Sequence, residues 1–181
     1  RTMPRMLADG RRLGAHLPLG DGMVKAVDRA HEIGATALQI FGDNPTAWRR
    51  RADPPTEQAA VRARLTELDN APVAIHASYL VNLAGPEDDV FGRSVGVLAS
   101  DLRAAPGFLC RFVNVHVGSH RGSGVAAGTG RLADGLALVL AEVQAGQGAE
   151  MVVRATSPGR GCGRGPVGGC GPGSGGEVGR V

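Results

Sequence analysis

Apolar residues over the first 153 positions fall into two alternating patterns. Short apolar runs, which predict strands, lie at residues 12–17, 35–41, 72–76, 109–117 and 151–153. Between them, segments with apolar residues every three or four positions, which predict helices, lie at residues 23–33, 56–68, 87–104 and 132–143. Gly34 suits the C-terminal end of the first helix and Thr56 the N-cap of the second. Strands and helices that alternate in this way predict right-handed crossovers and a parallel sheet, an α/β fold.

The pattern stops at residue 154. Residues 154–181 hold eleven glycines, three prolines and four arginines, with few apolar side chains. Such a segment buries too little surface to offset the entropy of ordering its backbone, so a disordered tail is expected. Three interpretations stay open: a flexible linker, an Arg/Gly nucleic-acid-binding segment, and GC-rich DNA read out of frame. The chain is therefore divided into a folded region, 12–153, and a low-complexity tail, 154–181.

Charge and cysteine content narrow the classes of function. Residues 1–153 contain sixteen Lys and Arg and sixteen Asp and Glu, so the net charge of +3 comes from the tail and gives no argument for a nucleic-acid partner. Three cysteines without C-x-x-C spacing argue against a disulfide framework and a zinc ribbon, and Cys110 is expected to be a small buried residue. No apolar stretch is long enough to span a bilayer, so a cytoplasmic protein is expected, with no obligate protein partner.

Histidines stand where apolar runs end. His76 closes the run 72–76, and His116 closes the run 109–117, with His120 in the Gly/Ser loop that follows. In a parallel α/β barrel the chemistry gathers at the C-terminal ends of the strands. Two histidines that end strands therefore suggest a metal site.

Four motifs are specific enough to name a family. In order and spacing they resemble the N-terminal half of endonuclease IV, over about residues 12–153. The motifs are Leu13-Gly14-Ala15-His16; Ala35-Thr36-Ala37-Leu38-Gln39-Ile40-Phe41 with Asn44-Pro45 and Trp48; His76-Ala77-Ser78-Tyr79-Leu80-Val81-Asn82-Leu83; and Asn114-Val115-His116-Val117-Gly118-Ser119-His120.

This resemblance implies a fold, a reaction and a role for six residues. Members of the family are TIM barrels with three zinc ions, and they hydrolyse the phosphodiester 5′ to abasic sites in base-excision repair. His76 and His116 match zinc ligands, and Trp48 and Tyr79 match positions on loops that meet DNA. His16 and His120 resemble groups that do not bind the metal themselves but orient its ligands or the phosphate. The implied cofactor is zinc and the implied partner is DNA with abasic sites.

The chain also departs from the family pattern. The fifth strand of the family ends in Glu-Asn-(Ser/Thr)-x-Gly, whose Glu bridges metals, whereas the best match here begins at Ala155. The tail has no counterpart to the later His, Asp and Glu ligands, and Thr46 and Ala47 replace the Arg and polar partner of many relatives. We therefore expect a partial TIM (β/α)8 barrel of about four and a half units, with its fifth strand unpaired. An incomplete, inactive fragment of the endonuclease is expected, with zinc partly bound at most.

Two other functions remain open at this point. A sugar isomerase or epimerase of the same barrel superfamily would also use histidines at strand ends, although the Tyr79 loop suits a sugar pocket poorly. A non-catalytic fragment could instead bind nucleic acid through its Arg/Gly tail.

The abrupt change of composition generates a prediction about the coding DNA. Shifting the reading frame between codons 153 and 165 should restore helical periodicity and motifs rich in Asp, Glu and His. Sequencing and translating that DNA in all three frames checks this. Low-complexity sequence or early stops in both alternative frames would exclude a lost reading frame.

Overall fold

A computed structural model describes residues 7 and 9–143 with their side chains, and the backbone of residues 150–154 and 178–180. The elements, in chain order, are β1 (Gly14–His16), α1 (Met23–Glu32), β2 (Ala37–Ile40), α2 (Gln58–Glu67), β3 (Val73–His76), α3 (Asp88–Ala104), a 3₁₀ turn (Ala105–Phe108), β4 (Cys110–His116), α4 (Val125–Glu142), β5 (Glu150–Arg154) and β6 (Val178–Arg180). Each of the five predicted strands and four predicted helices overlaps one of these elements.

The strands form one sheet in the order β1-β2-β3-β4-β5-β6, and the first five are parallel. Each strand lies beside the next one in sequence, and right-handed crossovers between such neighbours put all the connecting helices on the same face. The register pairs His16 with Gln39 and His76 with Asn114. These pairs bring the ends of the strands to one edge of the sheet.

The core lies between the sheet and its helices. Every second strand residue faces the helices and is buried, as Leu38, Ile75 and Val113 illustrate at 3%, 0% and 0% exposure. Leu98 of α3 and Val139 of α4 cover this face and are themselves fully buried. Each such side chain contributes about 1.5–3 kcal/mol through the area it removes from water. The opposite face carries the alternate residues.

The ends of the first two helices show one correct prediction and one wrong one. Gly34, at φ 79°, follows α1, and the Ala35 N–H donates to the Ala30 carbonyl at 2.9 Å, as expected for a helix C-terminus. Thr56, however, does not cap α2. The N-cap position belongs to Glu57, whose Oε2 accepts a hydrogen bond from the Met23 N–H at 3.1 Å and so caps α1 instead. A contact between two helices thus replaces the local cap that the sequence predicted.

Helix α4 begins at Val125, seven residues before the predicted start. Its first turns contain Gly128 and Gly130. Glycine lowers helix propensity and interrupts the apolar periodicity, so the sequence did not predict this part of the helix. A Cβ at Gly128 would lie 2.7 Å from the His120 Cβ, and one at Gly135 would lie 2.8 Å from Leu83 Cδ2. The glycines therefore allow α4 to pack closely on the loops before it.

No described helix, α4 included, is long and apolar enough to cross a membrane.

The edge of the sheet differs from the expectation. The fifth strand was expected to be unpaired, but β5 pairs with the antiparallel β6, in which Val178 lies opposite Arg154 and Arg180 opposite Val152. A segment of the predicted disordered tail thus forms a strand, because an open edge offers unpaired N–H and C=O groups. The rest of that tail, 155–177 and 181, lies outside the described residues. The division into domains at residue 154 stays a prediction.

One ion pair is buried beside the core. Arg50 Nη2 lies 2.6 Å from Asp101 Oδ1, with the two side chains 12% and 3% exposed. Burial raises the pKa of Asp101 to about 6, although the nearby Arg50 opposes this shift; Asp43 raises the pKa further. Removal of the carboxylate from water therefore outweighs its attraction to the guanidinium.

This shifted pKa predicts a pH dependence of stability. Because folding raises the pKa of Asp101 from 3.8 to about 6, the folded chain holds a proton that the unfolded chain releases in this range. The contribution of Asp101 to the free energy of unfolding is present at low pH and is lost as the pH rises through this window. Relative to Asp101→Asn, the unmodified chain should lose about 1–3 kcal/mol between pH 4 and pH 6, as measured by urea denaturation. Parallel curves for the two proteins would contradict the shift.

Candidate metal and nucleic-acid site

Five aromatic or imidazole rings gather where β1, β2, β3 and β4 end. His76 is at the centre, with its ring centroid 5.3 Å from that of His16 and 5.1 Å from that of His116. Phe41 lies 4.8 Å from His16 and 5.4 Å from His76, and Tyr79 lies 5.9 Å from His76. Four of the six predicted site residues, which are distant in sequence, thus form one cluster.

The orientation of His76 is fixed by the backbone of its own loop. The side chain is 8% exposed, and its Nδ1 lies 2.7 Å from the Ala77 carbonyl oxygen. A carbonyl only accepts, so Nδ1 carries the proton and donates it. The lone pair of the imidazole is then on Nε2, the arrangement typical of a histidine that binds a metal. The Ala77 N–H in turn donates to the Asn114 carbonyl at 2.9 Å, which fixes the loop against β4.

The donor set fits part of a zinc site. Neutral imidazoles bind Zn²⁺ well, and the proximity of His76 and His116 allows both to reach one ion. Among the described residues, however, no group of three or more His, Cys, Asp or Glu side chains could hold a metal ion. The described residues therefore do not fit the three-zinc cluster that the resemblance implies. Ala155, the position at which the resemblance implies a bridging carboxylate, lies outside the described residues.

A short chain of hydrogen bonds holds His16. Asn114 Nδ2 donates to Gln39 Oε1 at 3.1 Å, and Gln39 Nε2 lies 3.0 Å from His16 Nδ1. With the amide in this orientation, Gln39 donates and His16 accepts at Nδ1. Burial, and to a lesser extent the neighbouring His76, lower the pKa of His16, so this imidazole is neutral at pH 7.

Gln39 and Asn114 belong to the motifs, but no role was predicted for either residue. A signal for them was present. Both are polar residues inside apolar runs, and each is an even number of positions from a residue of the cluster: Gln39 two before Phe41, Asn114 two before His116. Side chains two apart on a strand share a face. The alternation therefore places both amides beside the histidines.

Trp48 and Tyr79 line an open cleft of about 480 Å³ together with His116 and Arg121. Tyr79 is 63% exposed, and its ring packs edge-on against Phe41 with centroids 5.1 Å apart. Trp48 is partly buried against the core, and the Arg93 guanidinium lies 5.8 Å from its ring. We call this the Trp48–Tyr79 cleft. It presents two aromatic side chains beside an imidazole of the ring cluster.

Asn82 joins the loops that follow β3 and β4. Its Nδ2 donates to the Ser119 carbonyl at 3.0 Å, and its Oδ1 accepts from the Ser119 N–H at 2.9 Å. Gly118 lies beside it at φ 86°, and a Cβ there would collide with Asn82 Oδ1. Both the backbone conformation and the lack of space thus require glycine at this position. The predicted motifs around His76 and His116 are fastened to each other by this amide.

His120 is not part of the ring cluster. Its Nδ1 accepts hydrogen bonds from the N–H groups of Gly122 at 3.2 Å and Gly124 at 3.1 Å, immediately before α4. This nitrogen therefore shapes the loop. His31, which the sequence analysis did not assign to the site, is exposed on α1.

Comparison with known proteins gives consistent matches. The profile of the xylose isomerase-like TIM barrel family matches residues 27–165. A protein named probable endonuclease 4 from Halothermothrix orenii is 34% identical over 135 residues, which are 75% of this chain and 49% of that protein. A protein of the same name from Chloroflexus aurantiacus is 33% identical over 150 residues, which are 83% of this chain and 52% of that protein.

Solved structures agree with these sequence matches. Endonuclease IV from Thermus thermophilus superimposes with a TM-score of 0.67 and 36% identity, over 79% of this chain and 51% of that one. A xylose isomerase domain protein from Planctomyces limnophilus matches with a TM-score of 0.55 at 15% identity, which shows the fold alone. The chain spans about half the length of the curated relatives it matches. It belongs to the xylose isomerase-like TIM barrel family, and the expected similarity to endonuclease IV is confirmed.

Proposed function

We propose that this chain carries the DNA-facing cleft and two zinc ligands of a zinc-dependent apurinic/apyrimidinic endonuclease, a hydrolase of base-excision repair. The observation that carries the proposal is the Trp48–Tyr79 cleft, in which residues from both the DNA-facing and the metal-binding motifs line one surface. The similarity to proteins named endonuclease 4 supports it. The sugar isomerase alternative has in its favour the xylose isomerase-like family match and a likeness of fold at 15% identity, whereas the relatives and the structure at 33–36% identity are named endonucleases.

The cleft has the chemistry for a duplex that lacks a base. Tyr79 is exposed but cannot collapse inward, because Phe41 and the backbone of its own loop support it. Its N–H donates to the Pro45 carbonyl at 3.1 Å, and the Ser78 hydroxyl donates to the same oxygen at 2.6 Å. An aromatic ring held in this way can stack on a base or occupy the space that a missing base leaves, a contact worth about 1–3 kcal/mol. Arg121 is 56% exposed at the rim and its Nη1 lies 3.5 Å from Glu87 Oε1; its other N–H donors can pair with a phosphate.

His76 and His116 are the proposed zinc ligands. When bound, zinc would lower the pKa of a water molecule and stabilise charge on a phosphate. His76 is suited to hold such an ion because its Nδ1–H is already donated to the Ala77 carbonyl. His16 is proposed to support the pair: its neutral ring stacks on His76 and adds no positive charge beside the ion. For His120 the proposal is limited to ordering the loop after His116.

The shortage of carboxylates leads us to propose that this chain incises DNA weakly or not at all. In sites with two metal ions, the ions stabilise both the attacking and the departing oxygen, and carboxylates that bridge the ions hold them in place. The ring cluster contains three imidazoles, and among the described residues no group of three or more His, Cys, Asp or Glu side chains could hold a metal ion. We therefore separate binding, which the cleft supports, from cleavage.

The zinc prediction concerns both histidines together. His76→Ala and His116→Ala should each lower the zinc affinity by about tenfold or more, because each removes one of two ligands. His31→Ala, which removes an exposed imidazole on α1, is the matched control and should leave the affinity unchanged. Titration calorimetry measures the affinity. Affinity that is unchanged in both site variants would remove the ligand assignment.

The cleavage prediction uses a duplex with one abasic site. Nicking by the unmodified chain in zinc should be at background, and His76→Ala should not lower it further. Gel electrophoresis of a labelled strand measures the nicked product. Robust, metal-dependent incision by the unmodified chain would show that its ligands are sufficient and would overturn the proposal of an inactive chain.

The DNA-binding prediction concerns the two aromatic residues. Tyr79→Ala and Trp48→Ala should each weaken binding to an abasic duplex by about five- to 100-fold, because each loses a stacking surface. Leu138→Ala, at an exposed apolar position on α4, is the control and should bind normally. Fluorescence anisotropy of a labelled duplex, with an intact duplex for comparison, measures the affinity. If the affinity is the same in both variants and is lost when residues 154–181 are deleted, the Arg/Gly tail is favoured as the nucleic-acid-binding segment.

A further inference from the structure

The loop that carries Trp48 is attached to the body of the fold on both sides of the indole, and the attachment after it is a guanidinium. We call residues 43–51 the Trp48 loop. Arg50 Nη2 donates to Asp101 Oδ1 on α3 at 2.6 Å, while Nη1 donates to the carbonyls of Asn44 at 3.1 Å and Ala47 at 3.5 Å. Arg50 thus binds two carbonyls of its own loop and one carboxylate of the helix. The loop conformation and its position on α3 depend on the same side chain.

The loop has one other attachment that is partly buried, because its Pro45 carbonyl accepts from the Tyr79 N–H at 3.1 Å and from the Ser78 hydroxyl at 2.6 Å. That attachment holds the start of the loop to the segment after β3 and does not reach α3. The remaining contacts are local or exposed. Asn44 Oδ1 accepts from the Thr46 N–H at 3.0 Å and shapes the turn, and Asp43 lies 3.4 Å from Arg51, which is 45% exposed. Arg93 rests on the Trp48 ring in a contact that lacks the directionality of a hydrogen bond. Among these attachments, the Arg50–Asp101 pair combines burial with contacts to both the loop and a helix. The Pro45 bonds fix the loop three residues before Trp48, and the Arg50–Asp101 pair fixes it to α3 two residues after Trp48.

The Arg50–Asp101 pair contributes little to the free energy of unfolding. Asp101 Oδ2 and Arg50 Nε are buried without a hydrogen-bond partner. Burial also raises the pKa of Asp101, so the ionised carboxylate is disfavoured at this place. A buried ion pair with unsatisfied atoms contributes little net stability, whereas it does specify one arrangement of the groups it joins. Its clearest effect here is on geometry.

We infer that Arg50 and Asp101 are positioning residues of the Trp48–Tyr79 cleft, which hold the Trp48 loop on α3 so that the indole lines the cleft. Neither side chain lines that cleft; both act through the loop. The inference rests on the proposed function only in what the cleft binds. The position of the loop is a property of the free protein and can be measured without DNA or metal.

Trp48 is the only tryptophan of the chain, so its fluorescence reports on this loop alone. Arg50→Met should increase the acrylamide quenching constant about twofold and shift the emission to the red, because the freed loop exposes the indole. Arg49→Met is the matched control: it makes the same substitution on the other side of Trp48, at an exposed arginine. Its quenching should equal that of the unmodified chain. Equal quenching in Arg50→Met and Arg49→Met would overturn the inference.

Arg50→Met leaves the buried Asp101 carboxylate without its partner, and the chain can fail to fold for that reason alone. A second variant is designed for that case. The double variant Arg50→Met/Asp101→Leu removes both charges, a replacement that buried ion pairs commonly tolerate. Circular dichroism and thermal unfolding should resemble the unmodified chain, while Trp48 quenching stays high. Arg50→Lys, which keeps the charge but cannot bind carboxylate and carbonyls together, should give intermediate quenching. Normal quenching in a folded double variant would overturn the inference.

DNA binding is measured separately in the same variants, so the two proposals can fail independently. If the unmodified chain binds an abasic duplex, Arg50→Met/Asp101→Leu should bind about tenfold more weakly, since the indole must be ordered during binding. Unchanged affinity in that variant would overturn the positioning role. If the unmodified chain does not bind the duplex, the proposed function fails, and the quenching result still decides whether the pair fixes the loop.

Discussion

The two-residue alternation of parallel strands is the constraint from which this structure follows. All helices lie on one face of the sheet, so one set of alternate residues must be apolar and the other set is released from that requirement. Ile75 is fully buried under the helices, and its neighbour His76 lies on the opposite side with its ring beside His16 and His116. The packing that stabilises the sheet and the clustering of the imidazoles are therefore two results of one geometry.

Much of the fold could be predicted from the sequence, because strands and helices here are short and their periods differ clearly. The strand of residues 73–76 and the helix of residues 88–104 were placed to within one residue. Errors arose where contacts distant in sequence decide local structure. Glu57 caps a helix to which it does not belong, so the local signal of Thr56 was misleading. The start of α4 was not predicted because its glycines are there to allow close packing, and close packing leaves no periodic pattern of apolar residues in the sequence.

The site shows the same division. The histidines could be found because they end apolar runs, and their proximity follows from the parallel register. No role was predicted for Gln39 and Asn114, although they share the face of the histidines, because the resemblance implies roles for other residues of the same motifs. Arg50 and Asp101 gave no signal. They are 51 residues apart, and an arginine among three consecutive arginines predicts a solvated surface rather than a buried contact.

Asn82 gives the site a mechanical property that a list of residues does not convey. Its amide bonds both backbone groups of Ser119, and Gly118 is packed against it without room for even a methyl group. The loops after β3 and β4 therefore behave as one rigid part, with Tyr79 on one arm and His116 on the other. A shift of the Tyr79 loop is transmitted through this amide to the loop of His116, and neither motif can be adjusted without refitting its partner.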